Sequence, residues 1–318
     1  MIKIESLGLK KIEGPILMLE KNADVKYDEV VRVFDEKRNS QIGKVLSVNE
    51  KSVVVQVFGN TSGLTIKDTS VEFLGIPMTI PVGRDMLGRV FNGLGEPFDG
   101  LPQIFTGDYR DVNGAALNPY IREYPRDFIQ TGISVIDGLT TLIRGQKLPI
   151  FSGNGLPHNV LAAQIARQAT LKNATEEFTV VFAGMGVKYD VAKYFIDNFE
   201  RSGVLSNVVM YLSLADAPSV ERLLTPRAAL TAAEYLAYDL GMHVLVIMTD
   251  MTNYCEALRE VSTTRGQIPS RKGYPGYLYS DLASLYERAG RIKNKKGSIT
   301  QIPILSMPND DITHPIPD

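Results

Sequence analysis

Eight residues, Ser152 to Asn159, read S-G-N-G-L-P-H-N between an apolar run at Leu148 to Phe151 and a stretch of helical periodicity that starts at Val160. A loop that follows a strand and opens a helix is the usual phosphate site of an α/β sheet, because the first amides and the dipole of the helix converge there. The pattern that does phosphate chemistry at such a place is GxxxxGK[ST], and all four of its fixed positions differ here. Ser152 stands for the first glycine, and Pro157 stands for the second and removes an amide. His158 stands for the lysine. An imidazole with an ordinary pKa of about 6.5 is mostly neutral at pH 7, where phosphoryl transfer needs a fixed cation. Asn159 stands for the hydroxyl that would hold magnesium. Two readings fit these residues: a glycine-rich strand-to-helix turn, or a phosphate loop that has lost its chemistry.

Two further places bear on the choice. An ATPase of this kind needs a carboxylate to orient the attacking water, expected just after the next strand, where A-G-M-G-V-K runs from Ala183 to Lys188. Val187 stands there, and valine cannot act as a base. The apolar run His243 to Met248 ends in Thr249 and Asp250. Such an aspartate can reach magnesium through water, or it can cap the following segment MTNYCEALREV. With no hydroxyl in the loop, the cap is favoured. Lys293, Lys295 and Lys296 read as a solvated basic turn. His158, His243 and His314 are too scattered for a local metal motif, and a lone Cys255 forms no internal disulfide.

The elements that must position these residues follow from periodicity. Short β-branched runs at Pro15 to Leu19, Val30 to Phe34, Ile42 to Val48 and Ser52 to Phe58 predict a small antiparallel β-barrel over residues 1–80. Residues 81–125 are rich in Gly and Pro and read as turns and a connector. Over residues 126–318, compact apolar runs at Leu148 to Phe151, Phe178 to Phe182, Asn207 to Leu212, His243 to Met248 and Ser298 to Leu305 predict strands buried on both faces. Helical stretches at Val160 to Leu171, Tyr189 to Arg201 and Ser219 to Leu240 alternate with them, the last kinked or restarted at Pro226, and a further helix runs from Tyr277 to Arg288. The 318 residues carry a net charge of -2, which gives no electrostatic case for a nucleic-acid partner. No apolar run approaches the roughly 20 residues that a membrane-spanning helix needs. Charges in the first 14 residues stand where a signal peptide would be apolar, so a cytoplasmic protein is expected.

Five long blocks then carry a resemblance: DMLGRVFNGLGEPFDG from Asp85, FIQTGISVIDGLTTLIRGQKLPIFSGNGLPHN from Phe128, VERLLTPRAALTAAEYLAYD from Val220, MTDMTNYCEALREVS from Met248, and RKGYPGYLYSDLASLYERAGRI from Arg271. From first residue to last the chain resembles the B subunit, the non-catalytic nucleotide-fold subunit of V-type and archaeal A-type rotary ATPases. The resemblance implies an α/β chain, with the N-terminal barrel followed by a RecA-like parallel-sheet nucleotide-binding fold that is incomplete at its C-terminus. It implies three B subunits alternating with three catalytic A subunits, around a central rotor stalk and beside a peripheral stalk. The complex would be peripheral to the membrane and move protons or sodium. ATP or ADP with magnesium would sit at the interface with the catalytic subunit, and no cofactor would be bound by this chain alone. In the family an arginine finger follows the HPIPD stretch, here His314 to Asp318, so the finger and a C-terminal helical domain are expected to be missing. Pro308, Asp310 and Asp311 are implied to face the rotor, in a loop expected to lack support. The alternatives are a free-standing ATPase with an unorthodox loop, or a binding scaffold.

Overall fold

The computed structural model describes all residues except 1–3, 8, 22–23, 60, 106, 115, 154 and 172–175. The start of the expected barrel and Asn154 of the loop therefore lie outside the described residues.

The chain divides into two units, one of residues 1–79 with 260–267, the other of residues 80–259 with 268–318. In the first, β1 (Ile4–Leu7), β2 (Lys11–Glu13), β3 (Ile16–Glu20), β4 (Glu29–Phe34), β5 (Ser40–Val48), β6 (Ser52–Val57) and β7 (Ser70–Pro77) form one sheet in the order β1-β7-β4-β5-β6-β3-β2. Every neighbouring pair is antiparallel. Alternation along the strands sends Leu17 and Leu19, Val31 and Val33, and Val53, Val55 and Val57 to a common core with Val45 and Val71. Gly43 is required by close approach, because a Cβ there would stand 2.5 Å from the Gln56 carbonyl oxygen.

In the second unit, β8 (Thr79–Pro81) pairs with β10 (Tyr109–Asp111), and β9 (Val90–Asn92) lies between them in sequence. β11 (Ile129–Gln130) precedes α1 (Ser134–Leu139), β12 (Ile150–Ser152), α2 (His158–Gln168) and β13 (Thr170–Leu171), the partner of β11. Then come β14 (Phe178–Val187), α3 (Tyr189–Arg201), β15 (Val208–Leu214), α4 (Ser219–Glu234), β16 (His243–Thr249), α5 (Met251–Thr264), α6 (Leu278–Tyr286), β17 (Gly290–Arg291) and β18 (Ser298–Ser306). The sheet order is β12-β18-β16-β14-β15-β9, parallel throughout, with β17 antiparallel on β18. Residues 81–125, read from sequence as a connector, thus supply an edge strand: Val90 to Asn92 pair with Met210 to Leu212.

Both sheet faces are covered. Val180, Phe182, Leu245, Ile247, Ile302 and Ile304 share one core with Ala162 and Ile165 of α2 and Phe195 and Phe199 of α3. Phe182 meets Phe195 with ring centroids 4.5 Å apart. The alternate positions Val181, Ala183, Val209, Tyr211, Val246 and Met248 are equally buried, and α4 packs on β14, β15 and β16. α4 does not restart at Pro226. It runs unbroken to Glu234 and continues as a π-helical turn, Tyr235–Asp239. A helix buried on nearly every side is held by packing, which outweighs the loss of one ladder hydrogen bond at the proline.

The polar framework of this unit is concentrated at Arg288, whose side chain is 1 % exposed. It donates to both Glu234 carboxylate oxygens at 2.6 and 2.7 Å, to Thr231 Oγ1 at 2.8 Å and to the Val112 carbonyl at 3.0 Å. Gly114 (φ +54) gives it room: a Cβ there would stand 2.5 Å from the guanidinium carbon.

Candidate functional site

The candidate site lies at the C-terminal ends of β12, β14, β16 and β18, where an open parallel sheet presents its loops. Ser152 ends β12 and is buried. Gly155 turns the loop at φ +77. Pro157 stands at the N-cap of α2 with no side-chain cap, so α2 begins at His158 rather than Val160, and it ends at Gln168 because Thr170 and Leu171 leave for β13.

The loop is occupied with itself. The His158 amide donates to the Leu156 carbonyl at 2.9 Å, and the Val160 amide to the Pro157 carbonyl at 3.1 Å. His158 Nδ1 lies 3.2 Å from the Leu156 carbonyl oxygen and 3.4 Å from Ser152 Oγ. The imidazole is folded onto the loop. Asn159 turns the other way, and its Oδ1 lies 3.5 Å from the Thr249 hydroxyl at the end of β16. That is where a magnesium-holding hydroxyl would stand, and the pair is amide with hydroxyl. Beside the loop is a groove of about 410 Å³, lined mostly by apolar side chains such as Phe151, Leu156, Val160 and Leu161 together with Ser152, His158 and Gln164, a surface ill suited to triphosphate.

Val187 closes β14 and is 6 % exposed, packed into the core with Leu212. Its carbonyl accepts from the Ala215 amide at 2.8 Å. Asn253 Nδ2 holds the preceding turn by donating to the Met185 carbonyl at 2.9 Å. A valine at this position cannot take a proton from water.

Asp250 is buried, and both oxygens of its carboxylate accept hydrogen bonds. Oδ1 accepts from the Thr252 amide at 2.8 Å and from the Ser306 amide at 3.1 Å, and Oδ2 accepts from the Ser306 hydroxyl. The first of these bonds is the N-cap of α5 that the sequence favoured. Ser306 had no local signal, since 56 residues separate it from Asp250 and only the adjacency of β16 and β18 joins them.

The stretch after β18 is better supported than the resemblance suggested. Pro308–Asp310 forms a 3-10 turn with Asn309 and Asp310 both at φ +55. The Met307 amide donates to the Ser152 carbonyl at 2.8 Å. Asp310 Oδ1 lies against the loop, 3.1 Å from where a Cβ on Gly153 would stand. Asp311 is held by the Thr313 hydroxyl and by Lys272 Nζ at 3.1 Å, which lower its pKa to about 2. Arg271 donates to the Thr313 carbonyl and to Asp318 Oδ2 at 2.9 Å. The structure therefore brings Ser152, Pro157, His158, Asn159, Asp250 and Asp310 together, while Asp311 turns to Lys272 and Pro308 is half-buried. The basic turn is likewise anchored, with Lys293 Nζ donating to the Tyr120 carbonyl at 2.9 Å and Lys295 Nζ to that of Tyr238 at 2.9 Å.

Among the described residues no group of three or more His, Cys, Asp or Glu side chains is placed to hold a metal ion, and no helix is long and apolar enough to cross a membrane.

Comparison with known proteins gives two matches to family descriptions: "ATP synthase alpha/beta family, nucleotide-binding domain" over residues 132–318 and "ATP synthase alpha/beta family, beta-barrel domain" over residues 10–75. The chain is 62 % identical over 318 residues to a V-type ATP synthase beta chain of Halothermothrix orenii, covering all of this chain and 69 % of that one. It is 61 % identical over 311 residues to V-type ATP synthase beta chain 2 of Treponema pallidum, covering 98 % and 65 %. To the B subunit of the A-type ATP synthase of Aeropyrum pernix it is 62 % identical over 314 residues, covering 99 % and 68 %. The chain thus spans about two thirds of the length of these relatives.

Proposed function

Because this chain belongs to the ATP synthase alpha/beta family, we propose that it serves as the B subunit of a V-type or A-type ATP synthase, coupling ATP synthesis or hydrolysis to proton or sodium movement across a membrane. In this reading it performs no chemistry of its own. It completes a ring with a catalytic partner in three alternating copies, around a rotor stalk and beside a peripheral stalk, on the cytoplasmic side of the membrane. Nucleotide with magnesium would lie at the interface between the two kinds of subunit, held mainly by the catalytic one.

The observation that carries the non-catalytic reading is the joint state of three places in one site. The loop offers no lysine, no hydroxyl at the magnesium-holding position and a proline where an amide is needed, and its His158 amide is already spent on Leu156. The water-positioning place is a core valine. The aspartate that would face magnesium in a working site caps α5 and clasps Ser306. A carboxylate with three donors has little reason to leave them for a hydrated cation. Each loss alone would slow phosphoryl transfer by orders of magnitude.

The test is co-purification. Tagged chain expressed with its cognate catalytic subunit should recover that subunit in equal amounts, and whatever ATPase activity the recovered complex has should be abolished by a change of the P-loop lysine in the catalytic subunit. Activity surviving that change would favour an independent ATPase, and failure to recover the catalytic subunit would favour a scaffold for other partners.

A further inference from the structure

The clasp between Asp250 and Ser306 joins three segments that are far apart in sequence. Asp250 sits between β16 and α5, and its Oδ1 holds the first turn of α5 through the Thr252 amide. Both Ser306 donors, amide and hydroxyl, are on the same carboxylate, and Thr252 Oγ1 returns a bond to the Ser306 carbonyl at 2.6 Å. The next residue, Met307, donates its amide to Ser152. Ser306 itself lies beside Ser152 in the β12-β18 register, and Asp310 of the following turn rests on Gly153. The degenerate loop, the start of α5 and the turn Pro308–Asp310 therefore meet at one residue.

We propose that Ser306 is a positioning residue, a joint through which displacement of the turn Pro308–Asp310 reaches both the Ser152–Pro157 loop and the N-terminus of α5. The far side of the turn is tied differently, by Lys272 to Asp311 and Arg271 to Thr313 and Asp318, all on exposed or half-exposed side chains. Exposed pairs of this kind are weak and salt-screened, whereas the clasp is charge-assisted and rests on a buried carboxylate. A force on the turn would break the outer ties first and be carried inward by the clasp. The device does not depend on the assignment to ATP synthases, since it is built wholly from bonds within this chain.

The test is hydrogen–deuterium exchange on the whole chain, comparing parent, Ser306→Ala and Ser306→Thr. Alanine removes the hydroxyl donor and keeps the amide, and threonine restores a hydroxyl. With Ser306→Ala, amides in 152–157, 251–254 and 307–313 should exchange at least about tenfold faster together, since a hydrogen bond to a charged group is lost, while β14 and α3 stay unchanged. Ser306→Thr should match the parent. Faster exchange confined to 307–313, no change at all, or a rise that spreads equally through β14 and α3 would each overturn the proposal. Should Ser306→Ala not fold, Asp250→Asn provides the same comparison, because an amide cannot accept all three donors.

Discussion

Replacing Arg288 by methionine should be among the most destabilising single changes in the second unit. The side chain is buried and makes two charge-assisted bonds to Glu234 together with bonds to Thr231 and the Val112 carbonyl. Methionine fills much of the volume but leaves Glu234 without its cation and the Val112 carbonyl without this donor. Removing one partner of a buried pair costs about 3–5 kcal/mol. The Glu234 side chain is 23 % exposed and can recover some hydration, which places the expected loss near the lower end, about 3 kcal/mol. With a urea slope of about 3 kcal/mol per molar, the midpoint should fall by about 1 M. The assay is urea unfolding followed by a probe in the second unit, with Arg288→Met, Glu234→Leu and the double variant. Because the cost lies in the stranded charge, the double variant should be more stable than Arg288→Met alone. A shift for Arg288→Met below about 0.5 kcal/mol, or a double variant that simply adds the two losses, would refute the reasoning.

Further outcomes follow from the same structure. His243 is buried with Arg144 Nη1 3.2 Å from its Nε2, and burial followed by the Arg144 charge lowers its pKa. The unfolded chain then binds the extra proton first, so stability is full above about pH 6.5 and falls as pH drops from there toward the folded value; His243→Gln should flatten that segment of a pH–stability curve. Glu221 has the opposite sign: burial raises its pKa, so its charged form costs stability at neutral pH, and Glu221→Gln, which can still accept from the Gly93 amide, should raise the thermal midpoint at pH 7 and lose that gain in acid. Gly297→Ala should fold poorly or not at all by circular dichroism, because its Cβ would stand 1.9 Å from the Ala237 carbonyl oxygen. Pro157→Gly, His158→Lys and Asn159→Thr together should give no measurable ATPase turnover while Val187 remains.

Much of the fold is written in local pattern, and the exceptions have physical causes. The strands at Val30, Ser52, Phe178 and His243 and the helix Tyr189–Arg201 are legible because alternation, buried apolar runs or a period of 3.6 is strong in each. The unbroken helix through Pro226 is not, because its stability comes from burial against three strands and local propensity points the other way. Nor is β9, three residues in a Gly-rich stretch that become a strand only by pairing with β15. In the site, the identities at Pro157, His158, Asn159 and Val187 could be read in order along the chain. The geometry around them could not: that Asp310 rests on the loop and that Ser306 gives two donors to Asp250 depend on β12, β18 and β16 lying side by side. Long-range pairing of this kind leaves no trace in spacing.

The most direct measurement is titration calorimetry of the isolated chain with Mg-ATP, paired with the His158→Ala variant. The expected result is no magnesium-dependent heat at micromolar nucleotide, in either protein, since the loop has no lysine, no hydroxyl at position 159 and no free amide at His158. Low-micromolar binding that requires magnesium and disappears on changing His158 would contradict the claim that this site has lost its chemistry.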